Sequence, residues 1–164
     1  MTGIEKKLVE YIDDAYAMEQ NVLRMLDGMI RTTKDAQMKR GLEKHKKETE
    51  RQAERLKGRL QEYGASPSIT KEAGGVIGAL MKSVVDVGRG DKPGRNARDG
   101  FATEHMEIAS YQLLERVAKK AGDKKTAEVA RKNREEEEAM ARSIASKWNK
   151  VVDLSLKEEG IRTR

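Results

Sequence analysis

Apolar residues recur at Ile4, Leu8, Ile12, Ala15, Val22, Leu26 and Met29. This three-and-four spacing keeps them on one stripe of an α-helix and predicts a first helix from Ile4 to Ile30. One step of the stripe is broken, where Glu19 stands between Ala15 and Val22. After the polar link Arg31 to Asp35, which can cap a helix, the spacing resumes at Met38, Leu42, His45, Thr49, Gln52, Leu56, Leu60 and Tyr63. Gly64 then supplies the stop. This second stripe is apolar at both ends and polar in its middle, through His45, Glu48, Thr49 and Gln52.

A third helix is predicted from about Arg95 to Ala121-Gly122, with Ala97, Glu104, Glu107, Tyr111, Leu114 and Ala118 along its inward line. A fourth follows Asp123 as N-cap and puts Ala130, Arg134, Glu137, Ala141, Ile144, Trp148 and Val151 on one face. Between the second and third helices, residues 65–95 carry both prolines and many of the glycines and read as a connector, with a short apolar helix from about Lys71 to Val87. Two helical hairpins docked side by side need such a crossover, spanning roughly the 40 Å of a helix of some 27 residues. The predicted fold is therefore all-α, an antiparallel four-helix bundle with a long crossover, forming one domain over residues 1–164. Asp153 to Arg164 reads either as a short fifth helix or as a frayed tail.

Composition supports this reading and narrows the function. Hydrophobic residues make up 37% and charged residues 38%, with 4% aromatics, which suits amphipathic helices with charged outer faces better than sheets. No apolar run approaches the roughly 20 residues that cross a bilayer, and the N-terminal stretch lacks the apolar core of a signal peptide, so the expected compartment is the cytoplasm. The absence of cysteine excludes disulfides, thiolate metal sites and cysteine nucleophiles. The net charge of +6 comes from 34 basic and 28 acidic residues interspersed along the chain, as on solvated helix faces, and argues against nucleic acid as a partner. No glycine-rich loop ends in the Lys-Ser/Thr of a phosphate cradle, and no spacing identifies a Ser-His-Asp set.

The polar interruptions carry the chemistry. Glu19, Glu48 beside His45, Glu104 with Glu107, and Glu137 lie near the midpoints of four different helices on faces that otherwise turn inward. In an antiparallel bundle midpoints meet, and that much like charge buried without compensation costs many kcal/mol. Two divalent ions would compensate it. Glutamate oxygen and imidazole nitrogen suit iron or manganese, and a spacing of three puts His45 and Glu48 on one face. Helix two reads His-x-x-Glu, the reverse of the Glu-x-x-His of dimetal carboxylate bundles, and helix four has no histidine. Of the acids from Glu135 to Glu138, Glu137 is the inward candidate, with Glu138 the alternative if the helix turns slightly. His105 falls outside the inward stripe. Tyr16 and Tyr111 read as core aromatics whose hydroxyls can reach ligands. The competing account has Arg24, Arg51 or Arg134 reach inward and neutralise the acids with no metal at all.

The segments Ala17-Met18-Glu19-Gln20, His45-Lys46-Lys47-Glu48-Thr49, Glu104-His105-Met106-Glu107-Ile108-Ala109-Ser110-Tyr111 and Arg134-Glu135-Glu136-Glu137-Glu138 resemble the YciF-type ferritin-like stress proteins. The third is the most specific. The resemblance implies a ferritin-like fold, a dimetal-binding core, dimeric assembly and an association with bacterial stress. That family often has a histidine in helix two where this chain has Glu50. The expected function is a di-iron or di-manganese carboxylate bundle with ferroxidase or peroxide-consuming chemistry; the alternative is a metal-free helical module that acts by binding partners. Met106, Leu113 and Val117, left over once the core is filled, predict a homodimer interface.

Overall fold

A computed structural model describes residues 1–68 and 91–162. It has helices α1 (Gly3–Thr32), α2 (Ala36–Glu62), α3 (Lys92–Lys120), α4 (Lys124–Ala145) and α5 (Trp148–Glu158), and no strand among the described residues. The short helix expected from Lys71 to Val87 falls within 69–90 and lies outside the described residues, as does most of the connector.

Each of the four long helices starts on a side chain that accepts from an N–H of its first turn, whereas α5 has no side-chain cap. Thr2 and Glu5 form a reciprocal capping box on α1, and Asp35 accepts from the Met38 N–H at 2.8 Å to open α2. Asp123 does the same for α4 through the Thr126 N–H at 2.9 Å. The stops are equally local: Gly64 and Gly122 have φ of 68° and 74°, a left-handed conformation that closes α2 and α3 and that glycine adopts without a Cβ penalty. Helix α3 starts three residues before the expected Arg95. Asp91 caps it by accepting from Gly94, and Pro93 fits its first turn, where a missing N–H is harmless.

The α1–α2 pair and the α3–α4 pair pack against each other through α1 on α3 and α2 on α4, with α5 on α3. Side chains at the helix ends fix the pairing. Asn96 near the start of α3 donates to Thr32 at the end of α1, and Arg59 near the end of α2 donates to Thr126 and Asp123 at the start of α4.

At the end where α1 begins, Leu8, Ile12, Leu56, Leu60, Tyr111, Leu114 and Ala130 join into one core drawn from all four long helices. At the other end the core is divided. Val22, Met25, Leu26 and Met29 of α1 form one cluster with Leu42, while Ala97, Ile144 and Val151 form another with Met38, Phe101 and Met140. Among the described residues, no helix is long and apolar enough to cross a membrane.

Three details of the expected pattern are corrected. The fourth helix does not run on to Val151; it ends at Ala145, a turn follows, and α5 begins at Trp148, ahead of the expected Asp153. Val151 still points inward, but Trp148 is 38% exposed and packs edge-on against Phe101, and Ile4 lies in the exposed first turn of α1. On α4 the inward position expected for Arg134 is taken by the fully buried Asn133, and the long side chain of Arg134 reaches out to Glu115 and Glu138.

Candidate metal centre

Glu19 is brought in by α1, His45 by α2, Glu104 and Glu107 by α3 and Glu137 by α4, and all five are buried. The inward stripe that buries Leu8, Ile12 and Val22 carries Glu19 in with them, and the same holds for Glu107 between Ala97 and Tyr111. The donor atoms fall into two groups, each within 4.8 Å: His45, Glu104 and Glu137 in one, Glu19, Glu107 and Glu137 in the other. Glu137 belongs to both. His45 Nε2 lies 3.1 Å from Glu104 Oε1 and 3.8 Å from Glu137 Oε2.

Glu48 stands apart from both groups. Its carboxylate lies 3.7 Å from the other ring nitrogen of His45, Nδ1, with 23% of its side chain exposed. An acid in that position can fix the orientation and tautomer of an imidazole whose Nε2 faces inward. Glu138 turns outward and pairs with Arg134 at 3.3 Å, so α4 directs Glu137 to the interior. His105 is exposed and stacks edge-on against Phe101.

Hydrogen bonds from neighbouring helices hold part of the layer in place. Tyr111 donates its hydroxyl proton to Glu19 Oε1 and accepts from Asn133 Nδ2 at 3.0 Å. Gln52 donates to Glu137 Oε1 and, at 3.1 Å, to Glu136. Arg55 joins the two chains, donating to Asn133 at 2.6 Å and to both oxygens of Glu136 at 2.8 and 2.9 Å. Arg55 and Asn133 were not singled out in the sequence. Their signal was the spacing, since Asn133 lies one helical turn before Glu137 and Arg55 three residues after Gln52.

These bonds leave much of the layer unsatisfied. Glu19 Oε2, Glu104 Oε2, Glu137 Oε2, both oxygens of Glu107 and both ring nitrogens of His45 are buried and have no hydrogen-bond partner among the described residues. Native interiors rarely leave such atoms unpaired, and carboxylate oxygens converging on shared points are what a cation requires. Without a cation the layer turns to protons. Burial pushes Glu104 up to about 8, and burial together with the adjoining Glu104 pushes Glu137 up to about 9. Glu19 and Glu107 are also raised well above the usual carboxylate range, by burial first and then by the nearby charge of Glu137. A proton shared between Glu104 and Glu137 is the metal-free compromise.

The neutralising arginines of the competing account do not reach the layer. Arg24 bonds the Gln20 carbonyl, Arg51 is exposed and Arg134 is engaged by Glu115 and Glu138. The guanidinium of Arg55 binds Glu136 rather than any of the five converging groups.

A helical bundle with a buried glutamate and histidine layer is the class of protein the structure defines, and comparison places it in a family. The chain belongs to the family described as a domain of unknown function, DUF892, whose model matches residues 4–157. It is 28% identical over 149 residues to the protein YciF of Escherichia coli (strain K12), covering 85% of this chain and 86% of that protein. Among solved structures, a protein of Xanthomonas campestris pv. campestris superimposes with a TM-score of 0.78 at 26% identity, covering 96% of this chain and 99% of that one. YcfI of Rhodopseudomonas palustris gives 0.77 at 27% identity, covering 88% and 94%. The E. coli stress protein YciF gives 0.72 at 23% identity over 99% and 100% of the two chains and shares the fold.

Proposed function

We propose that this chain is an antiparallel four-helix bundle of the ferritin-like kind, and that its central layer holds two divalent first-row ions, iron or manganese. The observation that carries this reading is the pair of buried donor groups hinged on Glu137, with orphaned oxygens facing a common space. His45, Glu104 and Glu137 would hold one ion, and Glu19, Glu107 and Glu137 the other, with Glu137 common to both groups. Such ions would supply Lewis acidity and, for iron, electron transfer toward oxygen or peroxide. The chain's own part is to hold the donors in a dry interior, with Tyr111 fixing one oxygen of Glu19 and Gln52 one oxygen of Glu137.

Each group offers three protein donors, and an ion held there would supply the chemistry through which oxygen or peroxide could be reduced. Ferroxidase-like or peroxide-consuming chemistry in a cytoplasmic stress response fits that arrangement, and the name of the E. coli stress protein adds to it by kinship. Homodimeric assembly is part of the proposal. Leu113, 53% exposed, would lie in the interface, whereas Met106 and Val117 are half-buried against the core.

Metal analysis of protein purified without chelator tests the reading. Iron or manganese near two equivalents, lost in a Glu19→Ala, Glu107→Ala double variant that still folds, is the expected result. Metal at background in the parent protein would leave a helical module that acts by binding partners.

A further inference from the structure

The division of the core at the α1–α2 turn has a cause: a cavity of about 970 Å³ lies there. Met25 and Met29 of α1, Met38 and Leu42 of α2, and Met140 and Ile144 of α4 are among its walls. It reaches His45 and Glu104 of the central layer. An ion or a peroxide needs a small fraction of that volume, which falls in the range of sites for drug-sized organic molecules. Four methionines in the walls suit such a guest, because unbranched thioether side chains adapt to irregular apolar shapes. Charged residues at the edge come in both signs, Lys44 and Lys132 with Glu48 and Glu135, and favour neither an anion nor a cation.

We propose that this cavity binds an uncharged, apolar organic molecule and presents it to the His45–Glu104 end of the central layer. Its chemical consequence rests on the metal-centre reading, but the binding itself does not. Two small residues mark the way in. Gly41 lines the cavity in mid-helix, where glycine is unfavourable, and a Cβ built there meets nothing within 4 Å. Ala139 lines it from α4. At Gly41 an added side chain therefore meets no atom of the fold, and Ala139 is likewise exposed beside the cavity.

The test uses N-phenyl-1-naphthylamine, a neutral apolar fluorophore, on the full chain stripped of metal. The structure predicts saturable, equimolar binding, weakened more than about tenfold by Gly41→Phe or Ala139→Phe in variants with parental helix content. In the unsubstituted protein with methyl-labelled methionine, the probe should shift the signals of Met25, Met29, Met38 and Met140 and leave Met1 and Met18 in place. Binding that fails to saturate, or that shifts the distant methionines equally, overturns the proposal, as does equal affinity in the filled variants. A Glu107→Ala variant that loses metal yet keeps the probe would separate failure of the metal centre from failure of the cavity.

Discussion

At the scale of the residue, the proposed ions would compete with protons for the central layer. In the unfolded chain its glutamates titrate near their ordinary value of 4.5, whereas in the folded, metal-free chain Glu104 keeps its proton to about 8 and Glu137 to about 9. Over that window the unfolded state binds fewer protons, so stability is fully present below about 4.5 and is lost as pH rises through the folded values. Each group still protonated in the fold contributes a slope of about 1.4 kcal/mol per pH unit. Denaturant unfolding of chelator-treated protein should therefore show stability falling from about pH 5 to about pH 9, and added manganese should flatten or reverse the trend by taking the place of the protons. A metal-free stability that is level across that range would mean that the carboxyls are not held in a dry interior.

Five of the six groups that interrupt the apolar stripes converge, whereas Glu48 stands apart beside His45 Nδ1. Residue-scale reasoning missed Asn133 and Arg55 for a physical reason. Stripe-reading assigns a long arginine such as Arg134 to the face of its Cα, although its charged end leaves that face for Glu115 and Glu138, and the neighbouring Asn133 fills the interior.

At the scale of the element, the phase of α4 decides which of four consecutive acids serves the centre. Leaving Asp123 as its cap, the helix buries Ala130, Asn133, Glu137, Ala141 and Ile144 on one line, turns Glu135 and Glu138 toward solvent and gives Glu136 to Arg55. Glu137→Ala should abolish binding of both ions, because both donor groups depend on it, while Glu138→Ala should leave metal content within error of the parent. Equal losses in the two variants would show that the helix is rotated from this phase. Caps and glycine stops were legible because they act within one turn of chain: Asp35, Asp123, Gly64 and Gly122 all stand where the sequence puts a boundary. The break at Ser146-Lys147 was not legible, since no glycine or proline marks it and the apolar spacing runs on through it to Val151.

At the scale of the whole molecule, the two ends of the bundle differ in kind. One end is a continuous core in which removing a buried leucine such as Leu56 or Leu60 has the usual cost of about 2–5 kcal/mol. The other is divided around a cavity that reaches the polar layer. On the proposed reading, cations fill the middle of the layer between the two ends. Anomalous diffraction from crystals grown with manganese or iron, recorded above and below the absorption edge of that metal, tests this most directly. The account predicts two peaks, one among His45, Glu104 and Glu137 and one among Glu19, Glu107 and Glu137; density without an anomalous signal there, with the carboxyls paired to one another, would contradict it.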